Sequence, residues 1–199
     1  TYMGHSGIPQ TMRIVATEAD ADGLTLTPRQ ATVNDLSYTL NESGLSYSIT
    51  DCNRSAAGFL EIPNNHEGLP VTAIDDYAFQ SCSSLRSIIF PESVISIGNS
   101  VLRNIYGLRN VRFEGDAPSH GNSLFSSLPS YSKVYYHSSK NGWSSTFNGL
   151  PTVAMHPATV DDLTFTINTD GTAYIITGCA IEATGNLNIP SSYNGLPVT

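Results

Sequence analysis

The chain has 199 residues, 40% of them hydrophobic and only 13% charged, a balance that supports a folded core and argues against disorder. A formal net charge of −8 with nine Lys and Arg argues against a nucleic-acid partner, because phosphate binding needs clustered cations that release counterions. Abundant Ser, Thr, Asn and Gly suit a secreted β-protein. Apolar runs such as Ala173 to Ile176 fall far short of the roughly 20 residues that span a bilayer, so no membrane insertion is expected.

No basic-then-apolar signal segment follows Thr1, so the start reads as processed or as that of a fragment. GHSG at Gly4 to Gly7 lacks the second glycine of a nucleophile elbow, since Ile8 stands there, and no strand precedes it. No catalytic residue is assigned. EADADG at Glu18 to Gly23 sets Glu18, Asp20 and Asp22 ahead of a glycine, like the opening of a calcium loop. An EF-hand needs glutamate where Arg29 stands, so a polar turn is the plainer reading.

Leu36, Tyr38 and Leu40 alternate before Asn41 to Gly44, and Leu45, Tyr47 and Ile49 alternate after it; this predicts a β-hairpin over 35–51. The same pattern returns: Asp35 to Thr72 aligns without gaps on Asp162 to Thr199, half the positions identical, at an offset of 127 residues. The chain thus reads as tandem modules. Residues 1–34 are the tail of a preceding module and 35–161 a complete one, with hairpin 35–51, solenoid coils 58–115 and closing segment 116–161. Residues 162–199 are the truncated start of the next.

A shorter period of 23 lies inside the module, where VTAIDDYAFQSCSSLRSIIF (Val71 to Phe90) overlies VISIGNSVLRNIYGLRNVRF (Val94 to Phe113). Val71, Ile74, Phe79, Cys82, Leu85, Ile88 and Phe90 fall on Val94, Ile97, Leu102, Ile105, Leu108, Val111 and Phe113. Such a period belongs to leucine-rich-repeat-like solenoids, whose coils bury their apolar faces only by stacking. Within a coil, Leu85, Ile88 and Phe90 suit a parallel strand ended by Pro91, and Ala78, Phe79, Cys82 and Leu85 suit a short helix. After Gly115 the spacing loosens, with short helices expected near Ser123 to Leu128 and Ser138 to Phe147 and a strand near Lys133 to Tyr136. The expected fold is mainly β: a leucine-rich-repeat-like solenoid with short helices, flanked by antiparallel β-hairpins.

The string LEIPNNHEGLPVTAIDDYAFQSCSSLRSIIFPESVISIG, Leu60 to Gly98, resembles the bacterial surface leucine-rich repeats of the BspA-like type. Their units read L-x-x-I-x-I-P, then V-x-x-I, then A-F-x-x-C-x-x-L. The match extends over about 55 residues and recurs at Leu187 to Thr199. The second unit departs from it, with Val101, Leu102 and Ile105 for the Ala, Phe and Cys at 78, 79 and 82, exchanges that packing tolerates. The resemblance implies secretion, a cell-surface location, tandem arrays and adhesion or protein binding, with neither catalysis nor cofactor. It carries no fixed binding motif, so no functional residue transfers.

Candidate chemistry is therefore sought in charge and aromatics. Five histidines are scattered without metal-ligand spacing. Cys52, Cys82 and Cys179 cannot all pair and read as small buried hydrophobes. Arg86, Arg103, Arg109 and Arg112 crowd into one stretch, and the coil alignment sets Arg86 above Arg109. Outward-facing, Arg86, Arg109 and Arg112 make a basic ladder suited to an acidic glycan or an extracellular protein. Solvated arginines that keep the sheet soluble are the plainer reading. Trp143 and Tyr135, in KVYYHSSKNGWSSTF, suit either stacking on sugars or capping the core.

Thr199 falls where Val71 and Thr72 run on into Ile74 and Phe79, leaving a coil half built. Either the chain continues, or another copy completes the coil, for example through the strand-like Met12 to Ala16. Two functions stand: an adhesion or protein/glycan interaction module at a bacterial surface, or an extracellular fibre subunit joined end to end to other copies of itself or to adjoining modules.

Overall fold

The computed structural model describes residues 30–180, 182–184, 187 and 189–199. Glu18, Asp20 and Asp22, the GHSG motif and Met12 to Ala16 lie outside the described residues.

A 3-10 turn, Val33–Asp35, opens the module, closed by a capping box in which Asp35 Oδ2 accepts the Thr32 N–H at 2.8 Å. The alternating residues then pair as β1 (Leu36–Leu40) against β2 (Tyr47–Cys52), antiparallel, with a bulge at Ser37/Tyr38. Asn41 builds the turn between them: its Oδ1 accepts from the Ser43 hydroxyl and from the Leu45 and Ser46 N–H groups.

From there the chain coils. β3 (Gly58–Glu61), β4 (Asn65–His66), β5 (Leu69–Ile74), β6 (Leu85–Phe90), β7 (Ser96–Ile97), β8 (Asn110–Phe113), β9 (Ser119–His120), β10 (Lys133–His137), β11 (Thr146–Phe147) and β12 (Leu150–Pro157) follow in order. One parallel sheet stacks β2, β5, β7 and β9; the other stacks β3, β6, β8, β10 and β12. β4 and β11 fold back on β5 and β12 as short antiparallel hairpins.

The 23-residue spacing is the register of the second sheet. Ile88 lies beside Val111 and Val111 beside Val134; Phe90 lies beside Phe113 and Phe113 beside Tyr136. Every apolar residue matched between the two coils, from Val71 to Phe113, is at most 3% exposed. Each such Leu, Ile or Phe contributes about 1.5–3 kcal/mol relative to exposure. Phe90 and Phe113 stack at 4.7 Å between centroids, in line with the coil axis.

The expected short helices are absent among the described residues. Over 75–82 the odd and even N–H groups part company: Ala78, Gln80 and Cys82 bond back to Asp75, Tyr77 and Phe79 of their own coil, while Tyr77, Phe79 and Ser81 bond to Asn99, Val101 and Arg103 of the next. Tyr77 and Ser81 have φ of 62° and 63°, and Ser100, Asn104, Ser123 and Ser127 repeat this at 23-residue spacing. Left-handed residues cost about 1–2 kcal/mol each, but they turn alternate N–H groups outward into an intercoil ladder that a helix would close on itself. Ser123 to Leu128 continues the ladder, with Ser100, Leu102 and Asn104 donating to Asn122, Leu124 and Ser126. A third coil therefore lies where the spacing loosens, and β10 holds the expected strand near Lys133 to Tyr136.

Beyond a second 3-10 turn, Val160–Asp162, the 127-residue repeat is also one of backbone. β13 (Leu163–Ile167) and β14 (Tyr174–Cys179) reproduce the register and bulge of the first hairpin, Leu163 facing Cys179 as Leu36 faces Cys52. β15 (Ala183–Thr184), β16 (Ser192–Tyr193) and β17 (Leu196–Pro197) follow. β12 pairs in parallel with β15, and the Ala158 N–H reaches Thr184 O at 2.8 Å as the Ala31 N–H reaches Ala57 O at 2.8 Å. Six parallel rungs thus run through the junction between modules.

Cys52 and Cys82 are buried as expected, but Cys179 is exposed. Its backbone matches that of Cys52, which is covered by the turn carrying Cys82.

Candidate binding surface

The two ends of the long parallel sheet differ in charge. At the strand starts stand Arg86, Arg109 and Lys133, with Arg103 in the turn before β8; all four are exposed. No Asp or Glu occurs from 77 to 91, from 93 to 113 or from 117 to 160. Among the described residues, none of these four cations forms an ion pair. Tyr106 and Tyr131 lie among them, 64% and 57% exposed.

Arg86 and Arg109 are adjacent, the Arg109 N–H donating to Arg86 O at 2.8 Å. Their heads differ. The Arg86 guanidinium lies along Gly107 and donates to Ser83 O and Leu85 O at 3.0 and 3.2 Å, so its own turn holds it. Gly107 leaves room for it, because a Cβ there would meet Arg86 Nη1 at 1.9 Å. The Arg109 guanidinium sits 5.5 Å over the Tyr131 ring, a cation–π contact that holds the charge at the surface with few donors engaged.

The strand ends carry Glu92, Glu114 and Asp116, and there the cations are neutralised. Arg112 is not part of the open ladder: its Nε lies 2.6 Å from Glu114 Oε1, an ionic contact without an aligned hydrogen bond. His137 Nε2 lies 2.7 Å from Glu114 Oε2 and 3.3 Å from Arg112 Nη2, and Lys140 Nζ donates to Glu92 at 2.8 Å. That bond to Glu92 raises the Lys140 pKa above its ordinary value.

Trp143 faces inward. It stacks on Tyr136 at 4.9 Å, packs on Phe113 and Phe147 at 5.2 and 5.0 Å, and donates from Nε1 to Gly115 O at 3.3 Å. Tyr135 is half-buried beside Arg112 in the strand register; burial, then the charge of Glu182, pushes its phenol pKa up. The structure thus groups Arg86 with Arg109, sets Arg112 beside Tyr135, and places Trp143 against the core. Arg103, which the sequence places in the basic cluster but not in the ladder, is joined here by Lys133, Tyr106 and Tyr131, which the sequence did not single out for binding although the acid-free stretches around them signal the patch.

Asn41 and Asn53, each followed two residues later by a serine as in an N-x-S glycosylation acceptor, are engaged in turns, Asn53 Oδ1 accepting from the Ser55 N–H and hydroxyl, each at 2.9 Å. Among the described residues no group of three or more His, Cys, Asp or Glu side chains is placed to hold a metal, and no helix is long and apolar enough to cross a membrane.

Stacked 23-residue coils with a leucine-type inward ladder define a leucine-rich-repeat β-solenoid. Residues 55–152 match the BspA type leucine-rich repeat region in six copies, and this stretch is a member of that family. Two solved structures are similar. The leucine-rich repeat protein of T. pallidum is 21% identical with a TM-score of 0.40, over 55% of this chain and 65% of that one. A leucine-rich cell surface protein from Faecalibacterium prausnitzii A2-165 is 14% identical with a TM-score of 0.37, over 71% of this chain and 59% of that one. The chain therefore spans less than two thirds of either. No curated protein matches it.

Proposed function

We propose that the chain is part of a non-enzymatic extracellular repeat protein at a bacterial surface, and that it binds an acidic protein or glycan along the strand-start edge. The supporting observation is charge segregation. A chain of net charge −8 keeps four cations without ion-pair partners among the described residues, next to two exposed tyrosines, on one edge of the stack. Arg and Tyr supply much of the energy in recognition surfaces, and exposed cations steer acidic partners. Binding to an array of carboxylated and sulfated glycans and acidic peptides tests this. The variant Arg86→Ala, Arg103→Ala, Arg109→Ala loses binding, while Arg112→Ala, which removes an already neutralised charge, retains it. Equal binding by wild type and the triple variant rejects the surface.

A fibre subunit joined to other copies or to adjoining modules is the second reading, supported by the parallel pairing of β12 with β15, which carries the long sheet on into the repeated hairpin segment. A strictly monomeric, well-folded species in sizing and electron microscopy excludes self-assembly.

A further inference from the structure

Two of the three cysteines meet in the core. Cys52, the last residue of β2, and Cys82, in the turn before β6, are 1% and 0% exposed. Both sulfurs converge on one oxygen: Asn53 O lies 3.7 Å from Cys52 Sγ and 3.9 Å from Cys82 Sγ. Cys82 Sγ also lies 3.7 Å from Cys52 O. Arg54 lies beside the pair, with Nη1 3.6 Å from Cys82 Sγ and Nη2 2.8 Å from Asp51 Oδ1, and it also donates to Cys52 O.

Placement in the repeat gives a second argument. In the next two coils the position of Cys82 holds Ile105 and Leu128, and the hairpin thiol returns as Cys179 at the 127-residue period. Cys belongs to the repeat pattern at this position, and Cys82 keeps it in the coil stacked on the hairpin thiol, which brings two thiols together across the stack.

We propose that Cys52 and Cys82 form a reversible disulfide that clamps the opening hairpin to the coil stacked on it, made by exchange with a small disulfide of the oxidised-glutathione class. Cys82 is the attacking sulfur: the hydrogen bond from Cys52 and the nearby Arg54 charge hold its pKa down against burial. That bond and burial hold the Cys52 thiol up, so it keeps its proton until the second step. The Cys82 thiolate attacks one reagent sulfur, forming a mixed disulfide and releasing one reagent thiolate, which takes up the Cys52 proton. The Cys52 sulfur then attacks Cys82 Sγ and releases the second reagent thiolate, which is protonated by solvent. Two protein thiols are oxidised and one reagent disulfide is reduced to two thiols. Because both sulfurs are covered, exchange takes place when the hairpin opens or before it docks.

The test uses the full chain with Cys179→Ser, refolded in glutathione buffers of graded oxidation. The expected product has lost about 2 Da and both titratable thiols, yields a cross-linked Cys52–Cys82 peptide, and melts about 5–10 °C higher than its reduced form. Reductant reverses all of these changes. In the wild-type chain the linkage maps to 52–82 and leaves Cys179 titratable. Two free thiols in denaturant after oxidising refolding overturn the proposal, as does an oxidised form less stable than the reduced one, or a bond to Cys179 in the wild type. The reduced wild-type chain serves as the folded control, so the test does not depend on a Cys82→Ser variant folding.

Discussion

Replacing Gly98 by alanine measures how tightly the coils are stacked. A Cβ there would lie 2.3 Å from Asp76 Oδ1, 2.5 Å from Asp76 N and 2.9 Å from Asp75 C. The carboxylate can swing aside, but the backbone cannot. Restoring an ordinary separation of 3.4 Å from the Asp76 nitrogen parts the coils by about 0.9 Å. The Gly98 N–H to Ile74 O and Tyr77 N–H to Asn99 O bonds, at 2.8 and 2.9 Å, then stretch beyond about 3.6 Å and are lost. With about 1 kcal/mol net for each, and a further contribution from the Asp76–Asn99 contacts, the loss is about 2–4 kcal/mol. Urea denaturation followed by the fluorescence of Trp143, the single tryptophan, reads this directly. Gly44→Ala is the comparison, because Gly44 has φ +70° and nothing within 4 Å of a Cβ; it loses about 1 kcal/mol from backbone conformation alone. If Gly98→Ala is no worse than Gly44→Ala, the close approach of the coils does not limit stability.

Three further outcomes follow from the same packing. Hydrogen bonds from the Asn99 side chain and backbone hold the Asp76 carboxyl below its usual range, so its stabilisation is present above about pH 4 and lost as pH falls through the lower folded value; Asp76→Asn flattens the acid limb of the stability curve below about pH 4, and an unchanged limb contradicts the assignment. Phe113 touches Phe90, Trp143 and Phe147 at 4.7, 5.2 and 5.5 Å; Phe113→Ala costs about 3–5 kcal/mol and red-shifts Trp143 emission, whereas a loss below about 1 kcal/mol places the ring outside the core. In the reduced native chain only Cys179 is exposed, so a thiol reagent labels it rapidly and reaches Cys52 and Cys82 only on unfolding; rapid labelling of all three would contradict their burial.

The 23-residue ladder from Val71 to Phe113 was legible because burial on a stacked coil depends on spacing, which the sequence displays. The helix expected over Ala78 to Leu85 was not a sound reading for a related reason. Apolar residues at three- and four-residue spacing suit a helix and a run of tight turns equally, and only the N–H bonds from Tyr77, Phe79 and Ser81 to another coil separate the two. The third coil did leave a trace, GNSLF at 121–125 repeating GNSVL at 98–102. Its strand half had drifted, with exposed Tyr131 where Leu108 is buried, and the alignment faded there.

The ladder shows the same division. The spacing of the inward residues Leu85, Ile88, Phe90, Leu108, Val111 and Phe113 directs Arg86, Arg109 and Arg112 outward, but it cannot show that Glu114 neutralises the last of them. Arg112 draws His137 from the neighbouring rung, and Trp143 reaches Phe113 across 30 residues.

By itself the sequence determined the two repeat lengths, the inward apolar positions and the hairpins, all of which follow from local pattern. The tertiary structure decided which cations stay unpaired among the described residues and which thiols meet. The physical reason is that each of these depends on a side chain or backbone group supplied by a different coil, at a distance set by stacking and not by neighbours in the chain.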